Sequence, residues 1–114
     1  MKRTYLGEFE EIVLLTTAVL ALQGQAYSVA ITHEIIDESG RDVRLNQIHA
    51  ALQRLEEKGM VASQMGDPTP ERGGRRKRLF TVTAYGQRTL QEIQVVRANL
   101  WTRLQTPINP VLSV

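Results

Sequence analysis

The sequence predicts a mainly α-helical fold with one small β-hairpin. Apolar residues recur at helical spacing in four segments, while two short segments near residues 60 and 80 alternate between apolar and polar residues. Turn-forming residues separate these two alternating segments, as expected for a hairpin. The chain has 114 residues, 42% of them hydrophobic and 23% charged, which indicates one domain that is large enough to bury a core.

The first two helices are expected near the N-terminus. The first covers about residues 8–23, because three early glutamates suit the positive end of a helix dipole and Gly24 can end the helix. It has a broad apolar face. The second covers about residues 27–38 and ends at Gly40. A short extended segment is expected over 41–45, where Val43 and Leu45 alternate with polar residues.

The third helix has the clearest predicted boundaries. Asn46 is a favourable N-cap, and Gly59 is a favourable C-terminal stop. Four apolar residues between them follow the i, i+3, i+4, i+7 spacing of a helix face that packs on a core: Ile48, Ala51, Leu52 and Leu55.

Two strands and a fourth helix complete the predicted elements. The strands cover residues 60–65 and 79–83, around a loop that begins at Gly66 and is longer than a tight hairpin needs. Long loops in compact domains tend to be functional. The fourth helix follows Thr83, a suitable N-cap, and ends before Pro107 and Pro110.

This order of elements is that of a winged helix-turn-helix domain followed by one more helix. The predicted organisation is a winged-helix DNA-binding domain over 1–83, a C-terminal dimerisation helix over 84–106 and a frayed tail over 107–114. In such a domain the third helix is the recognition helix and the hairpin loop is the wing.

The charges are distributed in a way that favours a nucleic-acid partner. The formal net charge is only +2, but the predicted wing contains the run Arg72-Gly-Gly-Arg-Arg-Lys-Arg78 without an acidic residue. Arginine and lysine neutralise phosphates, and glycine lets the backbone approach them closely. The alternative interpretation is a solvated run of charges.

The face of the third helix opposite its core stripe is polar. It carries Asn46, Ala50, Gln53 and Glu57, of which the two amides can read adenine edges and Ala50 can contact a thymine methyl. An ordinary solvated face is the alternative. The residues predicted to contact DNA are Tyr27, Asn46, Gln47, His49, Ala50, Gln53, Arg54, Arg72, Arg75, Arg76 and Lys77. For Tyr27, a phosphate contact through the hydroxyl and a partly buried core position are both open.

Surplus apolar surface on the first and last helices predicts a homodimer. A chain of this size cannot easily cover both apolar faces alone. The residues predicted at the dimer interface are Phe9, Val13, Leu90, Ile93, Val96, Leu100, Trp101 and Leu104. Trp101 is the only tryptophan, and it can pack on the first helix, lie between subunits or form a shelf for an aromatic ligand.

Nothing in the sequence predicts catalysis. Cysteine is absent, and the two histidines lie on different predicted helices without a motif around either. The Gly73-Gly74 pair precedes a strand, whereas a phosphate-binding loop leads into a helix. No apolar run approaches the ~18 residues of a membrane span. We therefore expect a cytoplasmic protein that is not an enzyme and has no metal, cofactor or membrane partner.

Five segments resemble the PadR family of bacterial transcriptional regulators, specifically its short members with a single C-terminal helix. They are Leu6-Gly-Glu-Phe-Glu, Ala26-Tyr27, Leu52-Gln-Arg-Leu-Glu-Glu-Lys-Gly59, Gly73-Gly-Arg-Arg-Lys-Arg78 and Thr83-Ala-Tyr-Gly86. The resemblance covers about residues 6–101. It implies a repressor that dimerises through its last helix against the first and binds palindromic operators. In some members a phenolic or drug-like ligand releases the DNA, which implies a small aromatic effector.

Two residues depart from the family pattern. His49 stands where the family usually has tyrosine, and Ser28 where it usually has glycine. The operator preference therefore does not transfer to this chain. A ligand pocket does not transfer either, because no residue here matches a ligand motif of the family. A winged helix that binds only protein, and a ligand-binding dimer whose DNA role is secondary, remain alternatives.

Overall fold

The computed structural model describes residues 6–66 and 77–104. Its elements, in chain order, are α1 (Glu8–Ala21), α2 (Ser28–Ser39), α3 (Leu45–Glu57), β1 (Val61–Met65), β2 (Arg78–Val82) and α4 (Ala84–Leu104). The predicted mainly α-helical fold with a small hairpin is therefore confirmed.

Helices α1, α2 and α3 enclose the core, and the hairpin closes it. The fully buried side chains come from all three helices and from the residue before β1, and the largest are Leu14, Ile31, Ile35, Ile48, Leu52, Leu55 and Met60. Strand β2 adds Phe80, whose backbone N–H donates to the carbonyl of Ala26 at 3.0 Å, just before α2. The hairpin is thus joined to the start of α2 as well as to α3.

The predicted ends of α2 and α3 at glycines are confirmed, whereas α1 ends at Ala21, about two residues earlier than predicted. Gly24, Gly40 and Gly59 have φ of +67°, +71° and +79°, a region that favours glycine. Thr83 caps α4 as predicted: its hydroxyl accepts the N–H of Gly86 at 3.1 Å and donates to the Gly59 carbonyl at 2.7 Å.

The predicted start of the third helix is wrong by two residues. Helix α3 begins at Leu45, with Arg44 at the N-cap, so Asn46 is the second helical residue and does not cap. The side-chain hydrogen bond at this helix end comes instead from Gln47, whose Oε1 accepts the N–H of Arg44 at 2.9 Å. Residues 41–44 pair with neither strand, and Leu45 belongs to the helix rather than to an extended segment.

The hairpin is antiparallel, with Val61 opposite Val82 at its base. The first turn of α4 packs on this base at Gly86. A Cβ at Gly86 would overlap the carbonyl oxygen of Met60 and lie 2.8 Å from Cγ1 of Val82. Glycine therefore permits the close approach that sets where α4 leaves the domain.

Helix α4 packs on the domain only along its first half. Gly86 and Thr89 are buried, whereas every residue over 94–104 is exposed. An ion pair of 2.7 Å between Arg97 and Glu11 joins this helix to α1. None of the helices in the described part of the chain is long and apolar enough to cross a bilayer.

Candidate nucleic-acid interface

The outward face of α3 is polar and open to solvent. The predicted core stripe is confirmed, since Ile48, Ala51, Leu52 and Leu55 are all buried. The opposite face carries Asn46, Ala50, Gln53 and Glu57, and all four are exposed. The small side chain of Ala50 keeps the middle of this face narrow. The other three side chains add two amides and one carboxylate, so the face has the shape and the hydrogen-bonding groups for a DNA groove.

One edge of α3 is bound to α2 and to the hairpin. Nε2 of His49 lies 3.0 Å from Oγ of Ser28, in the first turn of α2. The structure thus brings together the two residues that depart from the family pattern. Farther along the same edge, Glu56 accepts a hydrogen bond from Ser63, which also accepts one from Arg78 at the base of the wing. These contacts join α3 to the two strands of the hairpin.

The other edge of α3 is bound to α1 through Glu10. Its two carboxylate oxygens accept hydrogen bonds from Nε of Arg54 and Nζ of Lys58, both at 2.6 Å. Burial raises the pKa of Glu10, but the hydrogen bonds from Lys58 and Arg54 outweigh it and hold the pKa below its usual value. Arg54, which the sequence predicts to contact DNA, is therefore held by a buried carboxylate in the free protein.

Tyr27 and Lys77 join the wing to the start of α2. Tyr27 is the N-cap residue of α2 and is half-buried, and the ammonium group of Lys77 lies 4.4 Å from the centre of its ring. A groove of about 650 Å³ runs beside this pair. His33 and Arg78 also line it, and no acidic residue does among those described. Its positive lining suits a DNA phosphate.

The remaining predicted contact residues have different outcomes. Arg72, Arg75 and Arg76 lie outside the described residues. Gln47 is exposed at the start of α3, but its amide oxygen is engaged with the backbone of Arg44. Of the wing cations predicted to contact DNA, Lys77 is the one that lies in the described part of the chain.

Of the two predicted dimer residues on α1, Val13 needs correction, whereas Phe9 stays a prediction. Val13 has no exposed surface and belongs to the core of its own chain, and Phe9 is partly buried against that core beneath the guanidinium of Arg41. A residue without exposed surface cannot contact a partner. The large exposed apolar residues here are instead Leu15 and Val19 within α1 and Leu22 at its C-cap, none of which the sequence analysis placed at the interface.

The predicted dimer residues on α4 divide into two groups. Leu90 and Ile93 are half-buried in the first half of the helix. The other four lie in the exposed half, with relative exposures of 52–62%: Val96, Leu100, Trp101 and Leu104. Trp101 is exposed by 62%, so it does not pack on α1 within one chain, and the interface and ligand-shelf alternatives remain.

The described residues contain no group of three or more histidine, cysteine, aspartate or glutamate side chains that could hold a metal ion.

The three-helix core, the hairpin and the projecting α4 define a winged helix-turn-helix protein with an added C-terminal helix. Residues 18–92 match the model of the transcriptional regulator PadR-like family, and the chain belongs to this family. The resemblance expected from the sequence motifs is thereby confirmed, and the protein is a member of a family of transcriptional regulators. A comparison with curated protein sequences gives no significant match.

Solved structures share this fold at low sequence identity. A Streptococcus transcriptional regulator is 21% identical, with 89% of this chain and 92% of that chain covered and a TM-score of 0.66. A PadR-like regulator from Bacillus cereus is 16% identical, with 93% and 92% covered and a TM-score of 0.66. A PadR family regulator from Eggerthella lenta is 22% identical, with 87% of both chains covered and a TM-score of 0.60.

Proposed function

We propose that this chain is a dimeric, sequence-specific DNA-binding repressor of the PadR type. The observation that carries the proposal is the exposed polar face of α3, with Ala50 and Gln53 at its centre, next to the groove at Lys77, whose described lining residues include no acid. Recognition requires a helix face that can enter a groove about 12 Å wide and cations that contact the flanking phosphates. The basic run over 72–78 supplies further cations for the same purpose.

The proposed dimer would form through the exposed apolar residues of α1 and α4. Leu15 and Val19 on α1, and Leu100 and Trp101 on α4, expose about half of their surface or more. Contiguous exposed apolar surface on a small protein indicates an interface. A two-fold dimer would present two recognition helices and would therefore bind a palindromic operator. Such a regulator would act on the chromosome, in the cytoplasm.

The proposal includes relief of repression by a small aromatic molecule, and the exposed Trp101 supports this step. Its exposed ring, beside Leu100 on α4, can stack on a flat apolar ligand. Titration of Trp101 fluorescence with phenolic compounds, followed by DNA binding at saturating ligand, tests this step. A ligand that quenches Trp101 without weakening DNA binding would separate ligand binding from regulation.

Selection of bound sequences from a random DNA pool at fixed salt tests the proposed function as a whole. We expect enrichment of a palindromic sequence, which reports specific binding and two-fold symmetry together. No enrichment, combined with no retention on heparin, would favour a winged helix that binds only protein.

The wing is tested separately by Arg75→Ala, Arg76→Ala and Lys77→Ala. Each variant should bind all DNA sequences more weakly by the same factor. Each should also reduce the slope of log affinity against log salt by roughly one unit, because one phosphate contact is lost. A changed sequence preference would mean that the wing reads bases.

A further inference from the structure

We propose that Glu10 limits the sequence-independent affinity for DNA by withholding Arg54 and Lys58 from DNA phosphates while it anchors the recognition helix to α1. The inference rests on the proposed DNA-binding function and concerns a residue outside the DNA-facing surface. Glu10 would act through α3 and would not touch DNA, so it is a positioning residue.

The geometry allows one carboxylate to hold both cations. Each oxygen of Glu10 accepts one hydrogen bond of 2.6 Å, from Arg54 and from Lys58, which lie one turn apart on α3. The Glu10 side chain is only 11% exposed, whereas those of Arg54 and Lys58 are 49% and 30% exposed. The carboxylate is therefore shielded from water and salt, and the two cations lie at the surface, within reach of solvent ions.

The position of Arg54 explains why loss of its ion pair with Glu10 would change the affinity for DNA. Arg54 follows Gln53 directly and lies one turn after Ala50, so it borders the exposed face of α3. A free guanidinium at this border can turn to a phosphate beside the groove. Such contacts raise affinity for every DNA sequence alike, because the phosphate backbone is the same throughout. A carboxylate that binds the cations lowers this sequence-independent contribution, while the ratio of operator to random-DNA affinity depends on the base contacts.

Among Glu8, Glu10 and Glu11, Glu10 is the one whose ion pairs in the described part of the chain reach α3. Glu8 binds Arg41 at 2.9 Å, before α3, and Glu11 binds Arg97 on α4 at 2.7 Å. Glu11→Gln therefore removes the same charge from the same helix, together with one ion pair, while the contacts of Arg54 remain. It is the matched control for Glu10→Gln.

The experiment measures affinity for the selected operator and for a random duplex at several salt concentrations. In Glu10→Gln we expect tighter binding to operator and random DNA by the same factor, an unchanged operator preference and a salt slope steeper by about 0.9 for each cation that reaches a phosphate. Each such cation therefore makes the ratio of the affinity at 50 mM salt to the affinity at 200 mM salt larger by about 3.5-fold. Glu11→Gln should retain the wild-type slope. A variant that also carries Arg54→Gln and Lys58→Gln should return to the wild-type slope.

Other outcomes would overturn the inference. A wild-type slope in Glu10→Gln, or equal losses on both DNAs, would mean that Glu10 only supports the fold. Arg54→Gln alone tests the same point without removing the buried carboxylate, and a slope lowered by about one unit would show that Arg54 already contacts a phosphate. Failure of the wild-type protein to bind any DNA would refute the proposed function itself, and the inference with it.

Discussion

Leu100→Asp should convert the protein from a dimer into a monomer without unfolding it. Leu100 lies on the exposed half of α4 and is 53% exposed in one chain, so its removal leaves the core unchanged. Complete burial of a leucine side chain contributes about 1.5–3 kcal/mol, and the half that a partner would cover contributes about 0.8–1.5 kcal/mol. A two-fold interface contains this residue twice, so about 2–3 kcal/mol of association energy is lost.

This loss weakens the dimer by roughly 30- to 160-fold, and the two buried aspartates would add a desolvation cost. Sedimentation equilibrium over a range of protein concentrations measures the change. Val95→Asp is the matched control, because Val95 is 56% exposed on another side of the same helix. An unchanged mass for Leu100→Asp, or equal dissociation of both variants, would refute the proposed interface.

Three further predictions concern recognition, packing and acid stability. Gln53→Ala should cost about 1–3 kcal/mol of operator discrimination with little change in melting temperature, whereas equal losses on operator and random DNA would indicate a backbone contact. Gly86→Ala should lower the free energy of unfolding in urea by about 1–3 kcal/mol, because the added Cβ lies 2.8 Å from Val82 and overlaps Met60. Unchanged stability of this variant would contradict the packing of α4 on the base of the hairpin. The lowered pKa of Glu10 means that its ion pairs stabilise the fold above the unfolded-state pKa and lose this effect as pH falls below about 5. The stability difference between wild type and Glu10→Gln should therefore shrink from pH 7 to pH 3, and a constant difference would contradict the assignment.

The element order could be predicted from local patterns along the chain. The core stripe from Ile48 to Leu55 follows one helix face, and the glycines that end helices adopt the positive φ expected of them. Thr83 caps α4 as its position predicts. These features depend on residues within a few positions of one another, and the physical causes act over the same range.

The outward face of α3 could also be predicted, because it follows from the core stripe by geometry. The start of α3 could not. Asn46 could cap the helix with its own side chain, whereas Gln47 accepts the N–H of Arg44 when Arg44 is the N-cap residue. Which of these hydrogen bonds forms depends on the backbone conformation at Arg44.

Only the tertiary structure decided which apolar and charged side chains meet. Val13 and Leu15 belong to one broad apolar face in the sequence, yet Val13 is buried in its own chain and Leu15 is exposed. Glu10 and Arg54 are 44 positions apart, and no spacing rule joins them. The sequence alone determined the four helices, the hairpin and the polar face of α3, since local periodicity specifies them. The packing of α1 against α3 and α4 decided which residues remain for a partner or for DNA, because burial and ion pairing depend on contacts between segments that are distant in sequence.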